Sequence, residues 1–437
     1  MMKCEEEKKE EKERPPELKV LIVGAGLAGL STALALVRRN DAARVEIVER
    51  RPDFAGQGAT FGLNVLAQRA LGELDPSREA LLRALVEKGV RMPTGGYMLP
   101  WGAVRDGLLC EVRDRADRIS LHLGVSIERV AEREADGDRR RPLVATFRDS
   151  DLTIDADVLI GADGVNSFVR TEILALPPPT PTGAHVWRGG IDTEAFPGIL
   201  DEFAGLSPFG HTVKFVLFGD ALQLSYFNFH PKVDGAVAWV FCAKTDNLPQ
   251  EARRIEPGTT TPQHLLRSYM ASVKDPDAKL RDNYDTAIKA FDHATRPADL
   301  AWSSEMKVVD LTAADGRWGG RGGITLVGDA AHALRPASGL GGGLAFEDAA
   351  LLGPFLAECR GGEDAASQLR RFEALRLPRC KSLSNDQSLR SELSYKVGYH
   401  KVPQWDPNYS RWIDEGFEAL PEPPVSEVEV FVNAGLI

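Results

Sequence analysis

The stretch Val20-Leu21-Ile22-Val23-Gly24-Ala25-Gly26-Leu27-Ala28-Gly29 constrains the fold more tightly than any other part of this chain. Val20 to Val23 is a short apolar, β-branched run, the pattern of a buried strand. Leu27 to Arg39 reads as a helix. Gly24 permits the tight turn between them, Gly26 lets backbone approach a pyrophosphate, and Gly29 permits close helix–strand packing. Arg44 to Glu49 is a second strand. Glu49 closes it roughly 20 residues on, where a ribose-binding carboxylate belongs. The expectation is a βαβ dinucleotide site that uses Gly24, Gly26, Leu27, Ala28, Gly29, Glu49 and Arg50, with phosphates at the helix N-terminus. A glycine-rich packing turn is the plain alternative.

A second apolar strand, Ile324 to Val327, runs into Gly328-Asp329-Ala330-Ala331-His332. A carboxylate where a strand emerges can accept hydrogen bonds from a polyol such as the ribityl chain of a flavin. Pro336 and the glycines Gly339, Gly341, Gly342 and Gly343 then lead into another helix. Amides at that helix start can face the electron-rich edge of an isoalloxazine ring. An ordinary strand–turn–helix junction is the competing reading here.

The chain has 437 residues, 43% of them hydrophobic, enough for two domains or for one domain with an insertion. A net charge of -11 argues against nucleic acid or an anionic membrane surface as partner. The five cysteines are scattered and show no CxxC spacing, which points to reduced thiols in a cytoplasmic protein and to no metal site. Residues 1–17 form a Glu/Lys-rich tail expected to be disordered. No stretch reads as a transmembrane segment, and oligomeric state is not legible.

Leu108 to Leu121 reads as helix, and Val125 to Val130, Leu143 to Phe147 and Val158 to Ile160 as strands. The last ends at Gly161-Ala162-Asp163-Gly164, which alone is a common turn pair. From His185 to Ala243 the runs are short, alternating and aromatic-rich, as in an antiparallel sheet with one face open to a ligand. Residues 248–300 read as mostly helical.

Four stretches in order resemble the single-component FAD-dependent aromatic hydroxylases, the flavoprotein monooxygenases of the p-hydroxybenzoate and salicylate hydroxylase type. They are Gly24 to Gly29 with Glu49; Arg105 within Val104-Arg105-Asp106-Gly107-Leu108; Asp157 to Gly164 with Ser167 and Arg170; and Gly328 to His332 with Pro336 and Glu347-Asp348. The resemblance implies an α/β fold: a discontinuous Rossmann-like FAD-binding domain with an inserted, mostly antiparallel β-sheet substrate domain. The corresponding division is FAD domain at 18–75, 101–178 and 301–390, substrate domain at 76–100 and 179–300, and a C-terminal extension at 391–437.

By the same resemblance, Glu49 holds the adenosine ribose, Arg105 lies near the pyrophosphate or ribityl chain, and Asp163 serves both flavin and NAD(P)H. Asp329 binds the ribityl chain, and Pro336 lines the side where oxygen reacts. Gly328, Gly341, Gly342 and Gly343 complete the cofactor set. The implied reaction uses NAD(P)H and O2 to hydroxylate a phenol- or benzoate-like small molecule through a flavin C4a-hydroperoxide. Substrate contacts are expected from the middle sheet, with Trp187, Arg188, His211, Tyr226 and Phe227 as candidates. Arg188 would pair with a carboxylate, and His211 or Tyr226 would help deprotonate a phenol. Two positions depart from the family pattern: Leu340 stands where a Gln is usual, and Gly343 stands near the usual Asn. An isoprenoid epoxidase on the same scaffold, or a non-catalytic FAD-binding or lipid-escort protein, are the alternatives.

Overall fold

The computed structural model describes residues 17–385 apart from 55–59, 75–79, 92–95, 133–142, 192–195, 197–212, 219–220, 229–236, 295–299, 301–302, 312–317 and 335–339. The chain opens with β1 (Leu18–Val23), α1 (Leu27–Arg39) and β2 (Ala43–Glu49). Next come β3 (Thr60–Leu63), α2 (Val65–Leu74), α3 (Ala80–Val86), β4 (Val90–Arg91), β5 (Tyr97–Pro100) and α4 (Trp101–Arg113). They are followed by β6 (Ile119–Leu123), β7 (Ile127–Glu132), β8 (Leu143–Phe147), β9 (Thr153–Ala156) and β10 (Val158–Gly161).

Five strands then belong to the middle of the molecule: β11 (Thr180–Ile191), β12 (Val213–Phe218), β13 (Leu222–Asn228), β14 (Val237–Lys244) and β15 (Ser304–Val308). Two helices, α5 (Pro262–Ser272) and α6 (Ala278–Asp292), precede β15 in the chain. The last elements are β16 (Ile324–Leu326), α7 (Asp329–His332), α8 (Gly341–Phe355) and α9 (Gly362–Asn385).

The first sheet runs β16-β10-β1-β2-β6, and every pairing in it is parallel. β1, β10 and β16 are nearly all apolar and buried because helices cover the sheet, whereas β2 and the edge strand β6 include partly exposed polar residues. The register decides where function sits: Val23 lies opposite Gly161, and Gly161 opposite Leu326. Three segments remote in sequence therefore leave the sheet at one carboxyl edge. They carry Gly24, Asp163 and Asp329. The chain turns one way from β1 to β2 and the other way to β10, and ligands bind at such a switch point.

Ile119 to Leu123 is a strand rather than the end of a helix. It pairs in parallel with β2 from Val45↔Ile119 to Glu49↔Leu123. That edge pairing satisfies its backbone, and helix α4 ends at Arg113.

The second large sheet is antiparallel, in the order β12-β13-β14-β11-β15. Its fifth strand comes from beyond residue 300, because β15 pairs with β11 at Val186↔Ser304. One face packs Trp187, Trp239 and Phe241 against Leu265 and Leu266 of α5 and Phe291 of α6. Trp187 is fully buried there, and its indole N–H donates to the Thr260 carbonyl at 3.2 Å. Successive residues of a strand point to opposite faces, so Arg188 faces the other way.

Glu373 on α9 is buried beside the first sheet. It accepts from the Thr325 hydroxyl at 2.6 Å and pairs with Arg370 at 2.8 Å. Burial pushes its carboxyl up to about 7, against the pull of Arg370 and the Thr325 hydroxyl. The folded state then binds a proton that the unfolded chain releases near its ordinary 4.5. Stability from this group is present below that pH and is lost as pH rises toward 7. Glu373→Gln is expected to remove the loss, gaining roughly 1–2 kcal/mol over the wild type at pH 8 and little at pH 5. Urea unfolding at the two pH values checks this, and an equal effect at both would refute it.

Candidate functional site

The glycine turn is shaped by what surrounds each position. Gly24 has φ +108, and a Cβ there would lie 2.4 Å from the Ala162 carbonyl oxygen, on the neighbouring strand exit. A Cβ on Gly29 would sit 1.9 Å from the Gly24 carbonyl oxygen, so α1 rests directly on the turn. At Gly26 a Cβ would meet nothing within 4 Å. Gly26 is also the N-cap of α1 and supplies no side-chain hydrogen bond. The first-turn amides of α1 are thus uncapped beside open space, the arrangement that takes an anion. Glu49 holds the rim, accepting from the Ala25 amide at 3.0 Å and the Arg51 amide at 2.9 Å.

The far end is built on Gly328, whose φ of +59 bends the chain out of β16. Its amide donates to Asp348 on α8 at 2.8 Å. The same carboxylate meets His332 Nε2 at 2.7 Å and Arg376 Nε at 2.7 Å, all of them buried. This network sets the direction of Asp329. Asp329 is deep in the fold, yet its surface stays exposed, because that surface is cavity wall. No hydrogen bond to its oxygens is found among the described residues. Burial pushes its carboxyl above the ordinary range, with His332 and Arg188 pulling the other way. Gly341 lies against it: a Cβ there would be 3.5 Å from Asp329 Oδ1. Gly342 is closed by Phe61, whose ring would be 2.0 Å from an added Cβ.

A cleft of about 730 Å³ joins the two ends. Glu49, Arg50, Gly24, Gly26, Leu27 and Ala28 line one part; Asp163, Asp329, Gly341 and Gly342 line the other. The antiparallel sheet forms its ceiling. Val186 pairs with Cys242 and Arg188 with Val240, and residues directly opposite in an antiparallel pair share a face. All four line the cleft, with Met306 beside them. Among the ceiling residues that line the cleft, Arg188 is the charged one and the others are apolar or sulfur-bearing.

Several expected residues stand elsewhere. Trp187 packs on the helix side of the sheet and not in the cleft. Arg105 is one layer behind the wall: it pairs with Asp106 at 2.7 Å, donates to the Phe54 carbonyl, and lies 5.5 Å from the Trp101 ring. Trp101 itself lines the cleft. Gly29, Gly328 and Gly343 act through packing and turn geometry, behind the lining. The Asp163 carboxylate lines the cleft but also caps the turn after β10, accepting from the Ser167 hydroxyl and from the Phe168 amide at 2.7 Å. Burial pushes it up despite these bonds. Tyr226 and Phe227 lie on β13, Tyr226 in register with Trp239 and Phe227 with Ala238; their side chains, and Pro336 and His211 altogether, fall outside the described residues. Cys242, Met306 and Met98 were not anticipated. Alternation along β11 and β14 was the signal for the first of these, once Arg188 was placed.

The cleft thus has anion-accepting amides at one end, a polyol-accepting carboxylate at the other, and a ring-sized space under the ceiling. That donor set fits FAD. A family profile described as FAD binding domain matches residues 260–386, and one described as FAD dependent oxidoreductase matches residues 19–162. The 3-hydroxybenzoate 6-hydroxylase of Klebsiella oxytoca is 27% identical over 389 residues, covering 83% of this chain and 85% of that protein. An FAD-dependent urate hydroxylase of Klebsiella pneumoniae is 26% identical over 408 residues, covering 89% and 93%. Among solved structures, Klebsiella pneumoniae HpxO complexed with FAD and uric acid matches with a TM-score of 0.62 at 20% identity, covering 91% of this chain and 92% of that one. CtdE in complex with FAD and a substrate matches with a TM-score of 0.69 at 18% identity, covering 92% and 98%.

Proposed function

We propose that the chain is an FAD-binding monooxygenase, a reading supported by the FAD-binding profiles and the hydroxylase relatives, and that it hydroxylates a small planar aromatic or heteroaromatic acid, with NAD(P)H as reductant and O2 as oxidant. The observation that carries this is Arg188, a guanidinium on the cleft ceiling that lies close enough to Asp329 to act on it electrostatically. A carboxylate, a phenolate or the deprotonated form of an acidic ring nitrogen can accept hydrogen bonds from it, and a guanidinium holds a flat anion in one orientation. The relatives named for 3-hydroxybenzoate and urate act on molecules of that kind.

When bound, FAD supplies the electron storage and the activation of oxygen. The chain's own residues bind and orient. The uncapped amides after Gly26 would hold the pyrophosphate, Glu49 the adenosine ribose and Asp329 the ribityl hydroxyls. Val186, Val240, Cys242 and Met306 keep water from the reacting face, which guards against loss of oxidant as peroxide. Pro336, His211 and the Tyr226 side chain carry no part of this reading. We also place the protein in the cytoplasm, since its scattered cysteines suit a reducing compartment. Among the described residues no helix is long and apolar enough to cross a membrane.

The test is a panel of hydroxybenzoates, phenols, purines and isoprenoids offered to the FAD-loaded protein. NAD(P)H consumption should rise with an aromatic acid, and oxygenated product should match it. Arg188→Met should raise KM for that acid by about 10-fold or more, as expected for a lost charge-assisted pair of about 1.5–3 kcal/mol. Consumption that yields peroxide alone across the whole panel would end the proposal.

A further inference from the structure

Three sulfur-bearing side chains line the cleft: Met98 of β5, Cys242 of β14 and Met306 of β15. They are 6%, 7% and 5% exposed, so the little surface they keep opens onto the cleft. Their place along it is defined. Cys242 and Met306 pack with Val186 on the ceiling, and Arg188, two residues on, acts electrostatically on both Cys242 and Asp329. Met98 pairs with Gly62, next to Phe61, whose ring closes on Gly342. Cys242 and Met306 therefore lie on the ceiling on the Arg188 and Asp329 side, and Met98 lines the cleft from β5 on the face opposite Phe61.

An oxidant electrophilic enough for an aromatic ring also attacks a thioether, whose sulfur lone pair is polarisable and needs no deprotonation. A thiol reacts chiefly as thiolate. Burial pushes the Cys242 thiol up to about 12, so it stays protonated. The two thioethers are the reactive members of the set.

We propose that Met306 and Met98 are internal oxygen acceptors, oxidised to methionine sulfoxide when the cleft turns over without substrate. The proposal rests on the monooxygenase reading above. In the balanced step, reduced FAD gives two electrons and two protons, and the sulfur gives two electrons. The O–O bond of O2 breaks, one oxygen forms the S–O bond and the other leaves as water. The sulfoxide places a polar group in the apolar ceiling, so idle turnover weakens the substrate site until a sulfoxide reductase restores it.

Met270 provides the internal control. It lies on α5, half-buried on the opposite face of the sheet and outside the cleft. Added hydrogen peroxide, acting on oxidised FAD-loaded protein, should modify Met270 ahead of Met306 and Met98, following exposure. Next, the FAD-loaded protein is reduced anaerobically with one equivalent of dithionite and O2 is admitted with catalase present, over repeated cycles. Peptide mass mapping should then show the reverse order, with Met306 and Met98 ahead of Met270 by at least about 5-fold. Met306→Leu should lower the total oxygen incorporated. Met270 leading in both experiments, or catalase abolishing the cleft oxidation, overturns the inference. If panel compounds are oxygenated while both methionines stay intact, the inference fails and the monooxygenase reading stands. If neither compounds nor methionines take up oxygen, both fail.

Discussion

Gly26→Ala is expected to leave the FAD-free protein folded and to cut FAD affinity by at least about 100-fold, or ~2.7 kcal/mol. The backbone at Gly26 has φ -75 and ψ -176, which alanine adopts freely. An added Cβ meets no protein atom within 4 Å, so apo stability should stay within about 0.5 kcal/mol of the wild type. The space it enters is the cleft at the first turn of α1, where a pyrophosphate must approach the backbone closely. Gly29→Ala is the counterpart with the opposite signature. Its Cβ would sit 1.9 Å from the Gly24 carbonyl oxygen, and separating α1 from the turn should cost about 3 kcal/mol or more before any cofactor is considered. Flavin fluorescence titration and urea unfolding of the two apo variants separate the effects. Wild-type FAD affinity in Gly26→Ala would remove the pyrophosphate from this turn.

The contrast between these two glycines shows what was readable in the sequence. The local geometry was legible, because each glycine's task follows from a strand ending and a helix beginning within a few residues. The Gly328-Asp329 turn was legible for the same reason. The meeting of the two was not, since it depends on β10 lying between β1 and β16 in matched register, a pairing of segments remote in the chain. The ceiling was half legible. Alternation required Trp187 and Arg188 to face opposite ways, but which one faced the cofactor depended on α5 and α6 offering Trp187 an apolar partner surface. Arg105 fell short of the cleft because Phe54 and Trp101 engage its guanidinium first. Met98 and Met306 left no trace in the pattern, because an isolated sulfur residue in a strand looks like any other core residue, whereas Cys242 follows from alternation once Arg188 is placed.

Arg376→Met is expected to destabilise the protein by about 3–5 kcal/mol at neutral pH, a large share of the ~5–15 kcal/mol typical of a folded domain. Arg376 is fully buried on α9. It donates to Asp348 at 2.7 Å and to Glu347 at 3.0 Å, and these acids are themselves 0% and 2% exposed. Burial alone would raise the Asp348 carboxyl; His332 and Arg376 outweigh it and hold it below the ordinary range. In the wild type this group's stabilisation is present above the ordinary carboxylate pKa and is lost as pH falls through the depressed value. Removing Arg376 leaves Asp348 with His332 and Glu347 with Arg379, one cation fewer against the same burial, so the folded state's affinity for protons at Asp348 rises relative to the wild type. The sign then reverses: the variant recovers stability relative to the wild type as pH falls from 8 toward 5. Glu347→Gln in the Arg376→Met background should recover part of the loss at pH 8 by removing one of two buried charges; Glu347 retains Arg379 at 3.4 Å, so the recovery is partial. Since Asp348 also holds the Gly328 amide at 2.8 Å, the surviving folded fraction should retain FAD more weakly. Urea unfolding across the pH range decides the cause: a pH-independent loss with no recovery from Glu347→Gln would place the effect in lost packing of the Arg376 stem, and the network would then hold the Asp329 turn by shape and not by charge.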